Sequence, residues 1–262
     1  MQPSDWTGVV PRESKIAVIV PMYGYWSDVE VRELTPETLQ VSLLRLLSYK
    51  HKVYYIFVGE NSRVPADVKH ILAGRVAGGN VLSVEVQPFS PFGDYLSEGI
   101  STALEETDAQ FVVVANPWTI VQKDSLDKLV ERINRSDVSI VSGYDLRTHE
   151  SGGKIGVPSE EIDSYVFNPP IEIKDFNLNF WGMTRQRAEM LKVDVNFRTH
   201  YFLPRDVWQI SNQAGLEVIS SQFFPIYTLP VDWKNLEEKE EFDADYARFM
   251  EKWRFDPAVK YE

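Results

Sequence analysis

Five short apolar runs, separated by stretches with helical spacing, most constrain the fold of this chain. They are rich in β-branched residues and lie at 16–20, 53–58, 81–86, 111–115 and 138–142. Runs of this length that are apolar at nearly every position are typical of strands buried on both faces of a parallel sheet. The sequence therefore predicts an α/β protein with a mostly parallel central sheet and helices on both faces.

The stretches between these runs carry helix signals. Thr35, Pro36 and Glu37 mark a helix start, because a hydroxyl suits the N-cap, proline suits the first turn and an acid suits the positive end of the helix dipole. Leu39, Leu43, Leu46 and Leu47 then keep helical spacing. Further helices are predicted at 66–73, 96–104, 125–133, 184–191 and 204–214, the last ended by Gly215, with a strand at 216–220.

The domain organisation follows from the length of 262 residues and from a change of pattern after Gly143. We predict a single domain over 1–232, with halves at 15–143 and 144–232, because one hydrophobic core accommodates a chain of this size. Residues 233–262 form an acidic amphipathic segment. Its aromatic residues share one helical face, which predicts a helix packed on the domain.

Composition excludes several functional classes. With no cysteine, the chain has no disulfide, no thiolate metal site and no cysteine nucleophile. A net charge of −12 argues against nucleic acid as a main partner. An anionic small substrate requires a binding site that is locally positive despite this net charge. No apolar run is long enough for a membrane span, and residues 1–14 lack the pattern of a signal peptide, so we expect a cytoplasmic protein. The oligomeric state is not predicted.

A crevice is predicted at one edge of the sheet. In open α/β sheets, ligands bind beyond the carboxyl ends of the strands. This rule places the segments 21–26, 59–62, 88–94 and 116–118 around one site. No P-loop, no Gly-x-Gly-x-x-Gly and no zinc-ligand spacing occurs in the sequence, which removes the main rival classes of α/β enzyme.

Three segments in this order resemble motifs of a known enzyme family. They are 20–23 (VPMY) after the first strand, 58–62 (VGENS) after the second, and 92–100 (FGDYLSEGI) at a helix start. Over roughly 15–215 the chain is similar to inverting glycosyltransferases of the GT-A fold, of the family 2, rhamnosyltransferase-like type. The metal-binding and base motifs of that family are degenerate here.

The resemblance implies a site for a nucleotide-diphosphate sugar. In such enzymes the turn after the second strand grips the nucleoside, and the turn after the fourth strand faces the diphosphate. The residues implied for donor binding are Pro21, Tyr23, Glu60, Asn61, Phe92, Gly93, Asn116 and Trp118.

Trp118 stands where the family carries a metal-binding aspartate, at the end of Asn116-Pro117-Trp118. Relatives use that carboxylate to hold Mn²⁺ or Mg²⁺, but an indole has no lone pair to offer a metal. We expect Trp118 to stack on a base or sugar or to fill the metal position, with a simple aromatic cover as the alternative. Mn²⁺ or Mg²⁺ stays possible as a cofactor, with Asn116 and His200 as weak candidate ligands.

The general base of the family is also replaced. In the segment 201–206 (YFLPRD), Pro204 occupies the position of the aspartate that deprotonates the acceptor hydroxyl in relatives. Asp206 is the nearest carboxylate and is the candidate catalytic residue. The alternative is that Asp206 only stabilises the positive end of the helix that begins there.

Trp181 and Gly182 are candidate acceptor-binding residues. The segment 180–183 (FWGM) resembles the family's loop before the acceptor-side helix, where aromatic rings stack on sugars. A role in the hydrophobic core is the alternative for this segment.

The expected function is transfer of a sugar from a nucleotide-diphosphate sugar to a hydroxyl of a glycan or another acceptor, with inversion at the anomeric carbon. The alternative is a catalytically inactive protein of the same fold that binds a nucleotide, a glycan or a partner protein. The sequence does not identify the sugar, the nucleotide base or the acceptor.

Overall fold

The residues that the structure describes form a nine-stranded mixed sheet flanked by helices in a computed structural model of this protein. The structure describes residues 14–22, 36–48, 51–60, 80–87, 90–135, 140–146, 162–164, 166–198, 202–228 and 236–254. The predicted helix at 66–73 and the predicted cap Thr35 lie outside these residues. Within the described ranges, no helix combines the length and apolarity needed to cross a lipid bilayer.

The elements follow one another along the chain in an alternating order. They are β1 Lys15–Pro21, α1 Pro36–Arg45, β2 Lys52–Glu60, β3 Val81–Val86, α2 Phe92–Glu106, β4 Phe111–Ala115, β5 Thr119–Val121, α3 Ser125–Ile133, β6 Ile140–Asp145, a 3₁₀ helix Ile162–Ser164, β7 Glu172–Ile173, β8 Phe180–Thr184, α4 Arg185–Met190, α5 Leu203–Gln213, β9 Val218–Thr228 and α6 Leu236–Trp253.

The sheet has the strand order β3-β2-β1-β4-β8-β6-β9-β5, with β7 paired to β9. The first four strands in this order are mutually parallel, as predicted from their apolar runs. β8 is inserted antiparallel between β4 and β6, and β5 and β7 pair antiparallel with β9. The parallel half therefore presents its carboxyl ends along one edge, while the second half is mixed.

Two hydrophobic cores lie on opposite faces of the sheet. Because side chains alternate along a strand, Ile16 and Val18 of β1 pack in one core while Ala17 and Ile19 pack in the other. The first core includes α1 and α3, and the second includes α2, α4, α5 and Phe249 of α6. Because helices cover both faces of the sheet, as predicted, a site is expected beyond the ends of the strands.

The strand β8 is the largest difference from the sequence prediction, which treated 180–183 as a loop. β8 pairs with both β4 and β6, so it lies near the middle of the sheet. β5 and β7 were also not predicted, and β9 extends to Thr228, well beyond the predicted 216–220. Gly215 is confirmed as the left-handed residue after α5, with φ of 69°.

Candidate functional site

The turn Asn116-Pro117-Trp118 connects the carboxyl end of β4 to β5. It is buried, with Asn116 1% and Trp118 3% exposed. The Asn116 backbone N–H donates to the Asn179 carbonyl at 2.8 Å, and the Thr119 N–H donates to the Asn116 carbonyl at 3.0 Å. Asn179 directly precedes β8, so β4 and β8 together fix the turn.

The Trp118 indole fixes the orientation of two neighbouring amides. Its Nε1–H donates to Asn179 Oδ1 at 3.2 Å, and Asn116 Nδ2 donates to the same oxygen at 2.9 Å. Because an indole N–H can only donate, the amide oxygen of Asn179 must face it, and Asn116 must then present its Nδ2 to that oxygen. The orientation of Asn116 is therefore determined by Trp118.

Asn116 Oδ1 is left buried and has no hydrogen-bond partner within the described structure. Thr119 Oγ1, three residues further on, is in the same condition. A buried acceptor without a partner is costly, by about 1–3 kcal/mol, and such atoms are rare in native proteins. The carboxyl end of β4 therefore carries an oriented hydrogen-bond acceptor that the described residues leave unsatisfied.

The donor set at this turn does not fit a divalent metal. Mn²⁺ and Mg²⁺ are held by several oxygen ligands, usually including carboxylates, whereas the turn supplies one amide oxygen and an indole. No group of three His, Asp or Glu side chains that could hold a metal occurs among the residues that the structure describes. His200, a candidate ligand, lies outside those residues.

The carboxyl ends of β1 and β2 lie at the same edge of the sheet as the turn. Pro21 ends β1 and pairs with Val58 of β2, and Met22 N donates to the Val58 carbonyl at 2.8 Å. Glu60 is the last residue of β2, opposite Val86. The structure thus brings the backbones of Pro21, Glu60 and Asn116 to one edge. Tyr23, Asn61 and the Glu60 side chain lie outside the described part of the chain.

Phe92 and Gly93 begin α2 and are both buried. Their backbone N–H groups donate to the carbonyls of Arg198, at 3.2 Å, and Phe197, at 3.0 Å. A Cβ on Gly93 would overlap the carbonyl oxygen of Asp194. This glycine therefore allows the segment 194–198 to approach the start of α2. The two N–H groups are satisfied by protein carbonyls, and donor binding by these residues stays a prediction.

Asp206 lies in the first turn of α5 and is fully buried, with 0% exposed. Its oxygens accept hydrogen bonds from Lys252 Nζ at 2.9 Å and from Trp253 Nε1 at 2.8 Å, both on α6. Burial raises the pKa of Asp206, and the bonds from Lys252 and Trp253 oppose that rise. The carboxylate is therefore held by α6.

Helix geometry explains this placement of Asp206. Leu203, Asp206 and Val207 are buried on one side of α5, at the spacing of a single helical face. Position 204, where the family that the sequence resembles carries its base, is two residues away and about 200° around the helix from Asp206. The candidate catalytic residue is thus a structural anchor between α5 and α6 in the described chain, and its role as the general base stays a prediction.

Trp181 and Gly182 lie inside the sheet, in β8, and not in a loop. Trp181 is 0% exposed and packs edge-to-face on Phe176, with ring centroids 5.2 Å apart. A Cβ on Gly182 would lie 3.0–3.1 Å from atoms of Ile133 and β4. Of the two roles predicted for this segment, the structure supports packing in the core, because no ring face of Trp181 is accessible to an acceptor sugar.

Asn179 is the site residue that the sequence reasoning missed. Its side chain joins Asn116 and Trp118, and its carbonyl holds the turn. The signal in the sequence is weak: Asn177-Leu178-Asn179 is a polar boundary directly before the apolar run 180–183. Only the pairing of β8 with β4 brings Asn179 beside a turn that is about sixty residues away along the chain.

Comparison with solved structures identifies the fold. No protein-family model matches the sequence, and no curated protein matches it. The structure aligns with the crystal structure of GalNAc-T7 with UDP, GalNAc and Mn²⁺, with a TM-score of 0.56 over 92% of this chain, at 12% sequence identity. The chain has the GT-A fold.

The alignment covers 48% of the GalNAc-T7 chain, so the present chain matches about half the length of that protein. At 12% identity the likeness concerns the GT-A framework alone. The edge that carries Pro21, Glu60 and Asn116 is the carboxyl edge of the parallel half of this framework. By the general rule for such sheets, it is the edge where a ligand is expected.

Proposed function

We propose that the protein is a glycosyltransferase that transfers a sugar from a nucleotide-diphosphate sugar to an acceptor hydroxyl. The observation that carries the proposal is the buried, unpartnered Asn116 Oδ1 at the carboxyl end of β4 in a GT-A framework. The motif resemblance of 20–23, 58–62 and 92–100 supports the same assignment. As a finer part of the proposal, the acceptor oxygen attacks the anomeric carbon opposite the leaving nucleoside diphosphate, which inverts that carbon.

Asn116 is proposed to accept a hydrogen bond from a hydroxyl of the bound donor. Its amide is already oriented by Asn179 and Trp118, so no reorganisation is needed when the donor binds. Hydrogen bonds made by preoriented groups position the reacting carbon at low entropic cost. Trp118 acts through this network, as a positioning residue.

No step of the proposed transfer runs through a metal, because one amide oxygen and an indole do not form a Mn²⁺ or Mg²⁺ site. The base is left unassigned, since both oxygens of Asp206 are engaged by α6. The segment 199–201, which precedes α5, lies outside the described residues. Catalysis by the described residues thus rests on positioning of the donor and of the acceptor hydroxyl.

Calorimetry with UDP, GDP and dTDP sugars, with and without Mn²⁺, followed by an assay for the released nucleotide, tests the proposal. We expect one nucleotide sugar to bind and to turn over when an acceptor is present. Asn116→Ala should weaken that binding about tenfold, the loss expected for about 1.4 kcal/mol. Asn134→Ala, at an exposed position, is the matched control. Absence of binding by all three nucleotide classes would contradict the proposal.

A second variant tests where the turn faces. Trp118→Asp restores the carboxylate that relatives carry, so we expect it to make nucleotide-sugar binding dependent on Mn²⁺. Trp118→Phe removes the indole without adding a carboxylate and should stay insensitive to Mn²⁺. If Trp118→Asp also shows no response to the metal, the turn does not face the diphosphate. Tight binding without turnover in the unmodified protein would support the alternative, a catalytically inactive binding protein.

A further inference from the structure

A cavity of about 630 Å³ lies on the outer edge of β9, away from the carboxyl edge of β1, β2 and β4. The outer side of β9 pairs with β7 at Ser220 and Ser221, and with β5 from Ile226 onward. Between these two pairings β9 bulges, since Ser221 faces Gly143 of β6 and Pro225 faces the next residue, Tyr144. The cavity occupies the gap left where the outer partner of β9 changes from β7 to β5.

The walls of this β9-edge cavity are held by hydrogen bonds. Gln222 is buried, its N–H donates to the Ile171 carbonyl at 3.0 Å, and its Oε1 accepts from the Ile171 N–H at 3.1 Å. Gln122, also buried, donates from Nε2 to the Ile162 carbonyl at 2.8 Å. The rings of Phe167 and Phe223 complete the lining. The cavity therefore has a fixed shape with amide and aromatic surfaces.

The rim of the cavity carries two lysines and two aspartates, and Arg45, which pairs with Asp163, adds one further positive charge to this cluster in a chain whose net charge is −12. Lys123 and Lys128 line it, paired with Asp163 at 3.5 Å and with Asp124 at 3.0 Å. The Lys123 side chain is 77% exposed. Exposed ion pairs of this kind stabilise a protein by about 0–1 kcal/mol. Either lysine can therefore leave its aspartate and pair with a bound anion at little cost in free energy.

Asp163 does not compete strongly for Lys123 because Arg45 already neutralises it. Arg45 Nη1 lies 2.8 Å from Asp163 Oδ1, and the Arg45 side chain is nearly buried. Partial burial alone would raise the pKa of Asp163, but the hydrogen bond and charge of Arg45 hold it below its ordinary value. When Lys123 turns towards a ligand, Asp163 keeps its main partner.

We propose that the β9-edge cavity is a second binding site, for an acidic saccharide: a sugar ring bearing one carboxylate or phosphate. The lysines fit the anionic group, the glutamine amides fit ring hydroxyls, and the phenylalanine rings fit the apolar C–H face of a sugar. The lining of the cavity shares no residue with the proposed donor site, and Gln122 follows Asn116-Pro117-Trp118 by one short strand, about 10 Å of extended chain. The proposal does not depend on the proposed transferase activity.

Ligand-observed NMR titrations with glucose 6-phosphate, glucuronate, glucose and inorganic phosphate test this site. We expect one of the two acidic sugars to bind with a Kd on the order of 1 mM or tighter, and glucose and inorganic phosphate to bind at least about tenfold more weakly. The two acidic sugars distinguish a phosphate group from a carboxylate. Equal binding of inorganic phosphate and the sugar phosphate would overturn a saccharide site.

Two variants locate the binding. The double variant Lys123→Glu, Lys128→Glu should weaken the acidic sugar at least about tenfold, whereas Lys192→Glu, Arg205→Glu changes the charge equally at exposed positions that do not line the cavity and should have no effect. Phe223→Ala should weaken the acidic sugar without changing the response to inorganic phosphate. The proposal is overturned if neither acidic sugar binds at millimolar concentration, or if both double variants bind it equally.

Discussion

Two tryptophan indoles donate hydrogen bonds in comparable settings, but with opposite consequences. Trp118 Nε1–H donates to the neutral Asn179 Oδ1 at 3.2 Å, and Trp253 Nε1–H donates to the buried carboxylate of Asp206 at 2.8 Å. In the first network one acceptor, Asn116 Oδ1, is left without a partner in the described chain. In the second network, Lys252 donates to the other oxygen of Asp206, so both carboxylate oxygens have a partner.

The difference teaches where a ligand is expected. When every polar atom of a buried network has a partner, the network stabilises the fold and has no atom left for a ligand. When one buried acceptor has no partner, a ligand that donates a hydrogen bond to it removes that cost. The sequence indicates Asp206 as the candidate catalytic residue, with a helix-terminal charge as the alternative, and it predicts that Trp118 stacks on the donor or fills the metal position. The structure makes Asp206 an anchor and Trp118 the residue that orients Asn116.

The charged network also reaches the start of α2. Arg248 and Lys252 of α6 pair with Asp194, and Asp245 accepts from the Arg198 N–H at 2.9 Å. The carbonyls of Phe197 and Arg198 in turn accept from the first N–H groups of α2. α6 therefore fixes the segment 194–198 against a helix that begins near the carboxyl edge of the sheet.

The largest expected effect comes from removing the carboxylate of the charged network. Asp206→Ala leaves Lys252 and Trp253 without their shared acceptor and should lower the free energy of unfolding by about 3 kcal/mol, measured by urea denaturation. Asp243→Ala, at an exposed position of α6, should change it by less than about 0.5 kcal/mol. A cost below about 1 kcal/mol for Asp206→Ala would mean that the carboxylate is not the anchor described here.

A smaller effect is expected in the neutral network. Trp118→Phe removes the indole donor and some buried volume, and should lower the free energy of unfolding by about 1.5 kcal/mol. The Asn179 amide is then free to rotate and to donate to Asn116 Oδ1, which should also weaken nucleotide-sugar binding. The comparison between the two networks breaks down if this variant costs as much stability as Asp206→Ala.

The smallest effect concerns acid pH. Partial burial alone would raise the pKa of Asp194, but hydrogen bonds from Arg248, Asn196 and Lys252 hold it well below its ordinary value. A carboxyl whose pKa is lowered by folding stabilises the protein above its unfolded pKa, about 4, and loses that contribution as the pH falls. The raised pKa of Asp206 has the opposite sign: its contribution is present at low pH and is lost as the pH rises through that pKa.

Asp194→Asn therefore flattens the acid side of the stability profile. Between pH 5 and pH 3, the free energy of unfolding of the unmodified protein should fall by about 1 kcal/mol more than that of the variant. Urea denaturation at both pH values measures this difference. Parallel profiles for the two proteins would show that Asp194 is not stabilised by its ion pairs in the folded state.

The parallel half of the sheet was predictable because its signals are local. Each of β1, β2, β3 and β4 is an apolar run, and the helices between them show their own spacing. β8 was not predictable in the same way. Its sequence, FWGMT, has neither alternation nor a β-branched run, and it is a strand because β4 and β6 pair with it on both sides.

By itself, the sequence determined the α/β class, and it predicts a site at the carboxyl edge of the sheet around Asn116-Pro117-Trp118. The tertiary structure alone decided that Asn179 lies beside that turn and that Asp206 faces α6. The physical reason is the range of the forces. Periodicity and turn chemistry act within a few residues, whereas the partner of a buried polar atom is set by strands and helices brought together from distant parts of the chain.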